Sequence, residues 1–397
     1  MNDDANIRVL ATLPSADSLP DTVLQETFVD PLGIESFWEH WYLQGFVDQG
    51  FGKVKLVVGK PGSGKTHLLY HFAARARMLG YVVASIDAYR DRISAIDELY
   101  RAVAGQVNWE ELFRSALRIV IQEELGYPEF DGGPEEFLTW GETVRNLSGN
   151  LLRRDMREAI DRFLRAIDLE SEFLLALRVR MNHILLEQPS DAAQQWLMGQ
   201  KVGATVRKGI GLQESVTRRN ARALLTSLAV WVHRLTRCGL VILIDNIDAL
   251  ASTTRVEGRP YYTRAARDQS YEMLRELLDE SAFSPYLMTV WAGDGEAVAN
   301  PRTGFSSYPA LWARLQTEVQ SDRPNLFADL VDLDKLWAED AAHLDDLVSR
   351  WRAVPLTEPL ARGMDSSHTT LGLEWGRPRR LVADVLGERL AAERDER

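Results

Sequence analysis

The chain has 397 residues, 45% apolar and 26% charged, with one cysteine (Cys238) and a formal net charge of −12. One cysteine rules out a disulfide framework. No apolar run approaches the ~18 residues a membrane-spanning helix needs, and the acidic start Met1-Asn-Asp-Asp4 lacks the regions of a signal peptide, so a soluble, cytoplasmic protein of one large or two to three ordinary domains is expected.

Residues 1–30 are polar and contain proline, and are expected to form a loose arm. A short helix follows over Ile34–Gly45, with Phe37, Trp38, Trp41 and Tyr42 at helical spacing. Val54–Val58 reads as the first strand. The helix after it runs from about Gly64 to Leu79, where Gly80 takes the position just past its end. Tyr81–Ile86 reads as a second strand with Asp87 at its C-terminal end. From Ile93 to Thr236 no strand is evident, and apolar residues recur at helical spacing. Glu110–Leu125, Pro134–Arg145, Leu151–Ile167, Ser171–Leu186 and Ala221–Arg237 are the expected helices, with a break at Asp131-Gly-Gly-Pro134 and a less regular stretch over Pro189–Gln213. Strands resume at Leu240–Ile244 and Leu287–Trp291, separated by a helix over Thr263–Ser281. After Leu315 the pattern is helical, clearest over Asp334–Arg352 and Arg379–Arg394. Continuous apolar strands alternating with helices predict an α/β protein with a parallel sheet covered on both faces.

The chemistry concentrates at the end of the first strand. Gly59-Lys60-Pro61-Gly62-Ser63-Gly64-Lys65-Thr66-His67 joins a β-branched strand to a helix, the order a triphosphate-binding loop needs. Its glycines let backbone N–H groups turn inward around phosphate oxygens, and the helix N-terminus adds positive potential. Lys65 is suited to the β- and γ-phosphates of ATP and the Thr66 hydroxyl to Mg²⁺. His67 is read as packed beside the loop. Such a loop also needs an acidic residue on a neighbouring strand to hold Mg²⁺, and Val241-Ile-Leu-Ile-Asp245 delivers Asp245. Asp248 is placed to support the metal shell or to cap the following segment.

With Gly59–Thr66 and Asp245 in this order, the chain resembles the AAA+ class of P-loop ATPases, particularly its initiator and helicase-loader-like branch. That resemblance implies a glutamate after the Mg²⁺ aspartate to orient the attacking water, and Asn246 stands there instead. An amide hydrogen-bonds water but does not take its proton at neutral pH. Weak turnover is therefore expected, unless Asp248 or a partner's residue takes the role. The resemblance further implies that Asp294, ending Leu287–Trp291, is the sensor-1 residue. Arg314, in Tyr308-Pro-Ala-Leu-Trp-Ala-Arg314-Leu, is implied to reach the γ-phosphate of a neighbouring subunit. In Trp375-Gly-Arg-Pro-Arg379-Arg-Leu, Arg379 is implied to be the sensor-2 arginine, with Arg377 second.

Trp196-Leu-Met-Gly199, Gly239–Asp245, Tyr271–Asp279 and the Tyr308–Leu315 box together resemble the ATP-binding proteins of BREX-type bacteriophage-resistance systems. This implies an AAA+-type core over 46–92 and 238–320, an N-terminal arm and helix over 1–45, a helical insertion over 93–237 and a helical lid over 321–397. It also implies an oligomeric ATP-binding switch or motor in a multi-protein, DNA-associated defence complex. A nucleotide-stabilised scaffold with negligible hydrolysis and a regulator of DNA transposition or replication remain open as alternatives.

Charge is unevenly spread. From Arg145 to Arg237 Lys and Arg outnumber Asp and Glu by 16 to 9, against the acidic balance of the whole. Lys201, Arg207, Lys208, Arg218 and Arg219 are the candidate contacts to double-stranded DNA, or to an acidic neighbouring subunit.

Overall fold

The computed structural model describes residues 21–185, 191–354 and 376–395. The first 20 residues of the expected arm therefore lie outside the described residues, as does Trp375. Five strands form one wholly parallel sheet: β1 (Lys53–Gly59), β2 (Val82–Asp87), β3 (Leu240–Asp245), β4 (Leu287–Asp294) and β5 (Leu330–Asp332), in the order β2-β3-β4-β1-β5. The first four are the strands read from the sequence. β5 is not: its three residues fall in a stretch whose pattern past Leu315 looks helical, and too few side chains alternate there to register as a strand.

Side-chain alternation divides the core in two. Val54, Leu56 and Val58 of β1 face the same cluster as Ile242, Ile244 and Trp291, against the helices between β2 and β3. Val57 faces the opposite side with Val241, Leu243, Met288 and Val290. That side is covered by the helix after β1, α2 (Lys65–Met78), through Leu68, Leu69 and Phe72, and by Trp38 and Trp337. Burial on both faces explains why these strands read as nearly unbroken apolar runs.

Lys55 is the exception in that run. It is wholly buried on β1, where Nζ donates to the carbonyls of Leu326, Phe327 and Ala328 and lies 4.5 Å from the centre of the Tyr42 ring. Beside it Lys53 pairs with Asp329, which also pairs with Arg314. These contacts fix the segment leading into β5.

The helical stretch between β2 and β3 contains the expected helices with adjusted ends. Trp109–Ile119 passes into a wider π-turn over Val120–Glu124, and Asn108 caps its start by accepting from the Glu111 N–H. Within the irregular stretch two short helices form, Ala192–Leu197 and Ala204–Gly209. On the N-terminal side, α1 (Asp21–Thr27) lies against α2. The helix α3 (Arg264–Asp279) precedes β4 and α4 (Pro309–Gln320) follows it. The expected single helix Asp334–Arg352 is broken at Asp340, whose carboxylate caps the second half at His343; α5 (Leu333–Glu339) is the first half. The last described helix is α6 (Arg377–Asp395).

Candidate functional site

The nucleotide-site candidates of the loop, β3 and β4 lie at the C-terminal edge of the sheet, the edge at which open α/β folds bind ligands. Register sets this. Gly59 pairs with Asp294 across β1 and β4, and Asp87 pairs with Asp245 across β2 and β3. The acidic strand β3 is not the immediate neighbour of β1, as the sequence suggests, because β4 lies between them. The turn of α2 closes the gap: the Thr66 hydroxyl donates to Asp245 Oδ2 at 2.6 Å.

The loop is built as a phosphate cradle must be. Gly62 and Gly64 have φ of +78° and +98°, where a side chain is strained, and that conformation turns successive N–H groups to one side. A Cβ on Gly59 would meet the Ser63 hydroxyl at 2.6 Å. The Ser63 Oγ is itself buried with no hydrogen-bond partner. Lys65 is buried and folds back over the loop, donating to Gly59 O at 2.8 Å, Lys60 O at 3.0 Å and Asp294 Oδ1 at 2.9 Å. Its ammonium thus lies inside the turn of the loop, where phosphate oxygens would replace those acceptors. The residues fit a triphosphate. The Thr66 hydroxyl and the Asp245 carboxylate are the oxygen pair able to hold a hard divalent cation beside it.

Two supports of the loop carry no motif. Asp334, at the start of α5, accepts from the Lys60 N–H at 2.6 Å, and Trp337 Nε1 donates to Ser63 O at 2.8 Å. Both come from the segment after β5, so the only sequence signal was an acid-aromatic pair on one helix face.

The start of α6 sits directly on the loop. Gly376 N–H donates to Pro61 O at 2.9 Å and Arg379 N–H to Gly62 O at 3.2 Å. A Cβ on Gly62 would meet the Arg379 side chain at 2.5 Å, so that side chain lies across the loop. Burial holds the Arg379 pKa down, to about 10. Arg377 is exposed, which separates the two arginines that the sequence leaves as first and second choice.

The residues after β3 are arranged differently from the sequence expectation. Asn246 adopts a left-handed conformation (φ 59°, ψ 37°), which asparagine tolerates better than most residues. Its amide Nδ2 donates to Asp87 Oδ1 at 2.9 Å, so it ties the ends of β3 and β2 together. Asp248 accepts a hydrogen bond from the Tyr89 hydroxyl. Burial, and then repulsion from Asp294, raise the Asp248 pKa, against lowering by Tyr89 and Lys65.

Other candidates are placed away from the loop. The His67 imidazole is turned to the N-terminal segment, with Nε2 2.6 Å from Leu24 O, and burial lowers its pKa. Arg314 pairs with Asp329 at 2.6 Å, beside Lys53 at the start of β1 and thus at the opposite end of that strand from Gly59. Within one chain it is not brought to the loop. Of the basic residues, Arg218 donates to Gln269 of α3 and Arg219 pairs with Glu214, whereas Lys201 and Lys208 are exposed. Arg207 is half-buried on the helix Ala204–Gly209. Among the described residues no helix is long and apolar enough to cross a membrane.

Residues 44–354 match the family model described as BREX system ATP-binding protein BrxC/D. No curated protein matches the chain.

Proposed function

This chain belongs to the BREX system ATP-binding protein BrxC/D family, and on that premise we propose that it is an ATP- and Mg²⁺-dependent switch within a phage-defence assembly. The observation that carries the reading is the bond from Thr66 to Asp245 beneath a loop on which the Arg379 segment also rests. In this reading Lys65 exchanges Asp294 for the β- and γ-phosphates, while Thr66 and Asp245 hold Mg²⁺. Arg379 meets the triphosphate from the other side. Since α6 reaches the loop through Gly376 and Arg379, the C-terminal helices act as a lid whose seating depends on what the loop holds.

Arg314 acts on a second copy of the chain. Its place at the opposite end of β1 from its own loop supports a role between subunits, in which it would leave Asp329 and Asp279. Asp294 reports the change at the loop by gaining or losing Lys65. Partners are further copies of this chain and other proteins of the system. Lys201, Arg207 and Lys208 are the residues favoured for double-stranded DNA; Arg218 and Arg219 contribute less, because each already has a polar partner.

A scaffold reading, with ATP bound and little turned over, is favoured by one observation: Asn246 is committed to Asp87 and offers water no base. The two readings share nucleotide binding and part on turnover. Titration of a fluorescent ATP analogue into wild type and Lys65→Ala tests the shared part, with binding expected only in wild type. Steady-state phosphate release then separates them. Wild-type turnover that depends on Arg314 and rises with protein concentration supports the switch, and binding with no release supports the scaffold. Equal analogue binding by wild type and Lys65→Ala would remove the basis of both.

A further inference from the structure

Asp87, Asp245, Asp248 and Asp294 lie at or just past the C-terminal ends of β2, β3 and β4, and three of them have partners that define their work. Asp87 holds Asn246, Asp245 accepts from Thr66, and Asp294 pairs with Lys65. Asp248 instead accepts from a phenol, Tyr89, which belongs to the turn after β2. That phenol is itself fixed at both ends. Its backbone N–H donates to Asp87 Oδ1 at 2.9 Å, and the Arg259 guanidinium lies 4.1 Å from the centre of its ring.

Asp248 is equally confined. A Cβ on Gly293 would meet Ile247 Cγ1 at 2.4 Å and the Asp248 N at 3.2 Å, so the turn carrying Asp248 presses on the end of β4 one residue before Asp294. Asp294, the next residue on that strand, holds the loop lysine Lys65 at 2.9 Å, so the turn carrying Asp248 adjoins the Lys65–Asp294 pair.

We propose that Tyr89, clamped by Arg259, is a positioning residue that aims Asp248 as the proton acceptor for ATP hydrolysis, in place of the acid that Asn246 does not provide. The proposal rests on the ATP-binding reading above and extends it. In the step, the water oxygen bonds to the γ-phosphorus as the bond from that phosphorus to the bridging oxygen of ADP breaks. The bridging oxygen leaves with the electron pair. The water proton passes to the Asp248 carboxylate, which later returns it to solvent. The Tyr89 hydroxyl donates to Oδ2 throughout and fixes the plane of the carboxylate. Burial, with the like charge of Asp294 nearby, raises the Asp248 pKa and makes it a stronger base than an exposed aspartate.

The charged and titratable groups facing the pair are Asp294, Lys65 and Arg259, and the sign of the test follows from them. The Tyr89 hydrogen bond lowers the Asp248 pKa, so its loss raises that pKa and moves the acid limb of the kcat profile to higher pH. With the full chain, Tyr89→Phe is expected to bind the fluorescent ATP analogue within about twofold of wild type. Its kcat should fall about tenfold or more, with KM little changed, the scale of a misplaced general base. Arg259→Gln should give a smaller fall in kcat and a smaller shift of the same limb, and Asp248→Asn should bind ATP without turnover. If Tyr89→Phe does not fold, Arg259→Gln and Asp248→Asn carry the test. Wild-type kcat and an unmoved acid limb in Tyr89→Phe and Arg259→Gln overturn the proposal, as does an Asp248→Asn that turns over normally. Wild type that binds ATP but releases no phosphate also overturns it while leaving the binding reading intact. Failure of wild type to bind the analogue removes that reading itself.

Discussion

Lys55 gives the fold a pH dependence that one substitution isolates. Its ammonium is wholly buried on β1 against three carbonyls. Burial, and then the like charge of Lys53, lower its pKa to about 7, against the opposing influence of Asp329 and Glu318. In the unfolded chain the same amine titrates near ~10.4. Between these values the unfolded state binds the extra proton, so stability rises with pH across the window and the slope disappears below it. A whole proton is worth about 1.4 kcal/mol per pH unit, and the two titration curves give about 2–3 kcal/mol between pH 7.5 and 9.5. Lys55→Met keeps the length of the side chain and removes the titrating group. The stability of wild type relative to Lys55→Met should therefore improve by about 2–3 kcal/mol over that range. Urea unfolding followed by tryptophan fluorescence at three pH values measures it, and the other titrating groups cancel in the difference. Parallel curves for the two proteins would refute the reasoning, because they would mean that Lys55 binds its proton equally in both states.

Asn246→Asp should place a carboxylate against Asp87 and destabilise the protein by about 1–3 kcal/mol at neutral pH. Asp87→Asn in the same chain should restore most of the loss in a thermal melt. Gly376→Ala should weaken binding of the ATP analogue at least tenfold, since its Cβ would stand 2.8 Å from the Ser63 N and displace the loop backbone. Circular dichroism of that variant should match wild type. Asp294→Asn should bind the analogue several-fold more tightly, because Lys65 loses its competing carboxylate and the triphosphate loses a like charge. Trp337→Phe leaves the Ser63 carbonyl without its donor, and should cost about 1–2 kcal/mol in unfolding free energy.

The readable parts of this molecule are those with local signatures. Four strands show as apolar runs because both of their faces are covered, and Gly59–Thr66 shows because its chemistry needs fixed residues at fixed spacing. Asp245 and Asp294 are legible as acids ending such strands. What does not show is what depends on distant chain segments meeting. β5 is too short to leave a pattern, and Asp334 and Trp337 reach the loop only because β5 brings their helix beside β1. The role of Asn246 reads differently in sequence and in space. Its position suggests a missing catalytic acid, whereas its left-handed backbone and its bond to Asp87 give it a reason to be asparagine. Lys55 would be taken for a break in an apolar strand, and only the folded chain supplies the carbonyls that accept its protons.

The loop is touched from both directions along the chain: His67, next to it, is held by Leu24, and Pro61 and Gly62 are held by Gly376 and Arg379. During synthesis this imposes an order. Leu24, the loop and its first strand leave the ribosome early, but Gly376 and Arg379 emerge only after the sheet has been completed. A nascent chain therefore meets cellular ATP with an unfinished cradle. A chain halted before Gly376 thus carries the whole motif without two of the backbone contacts that seat it.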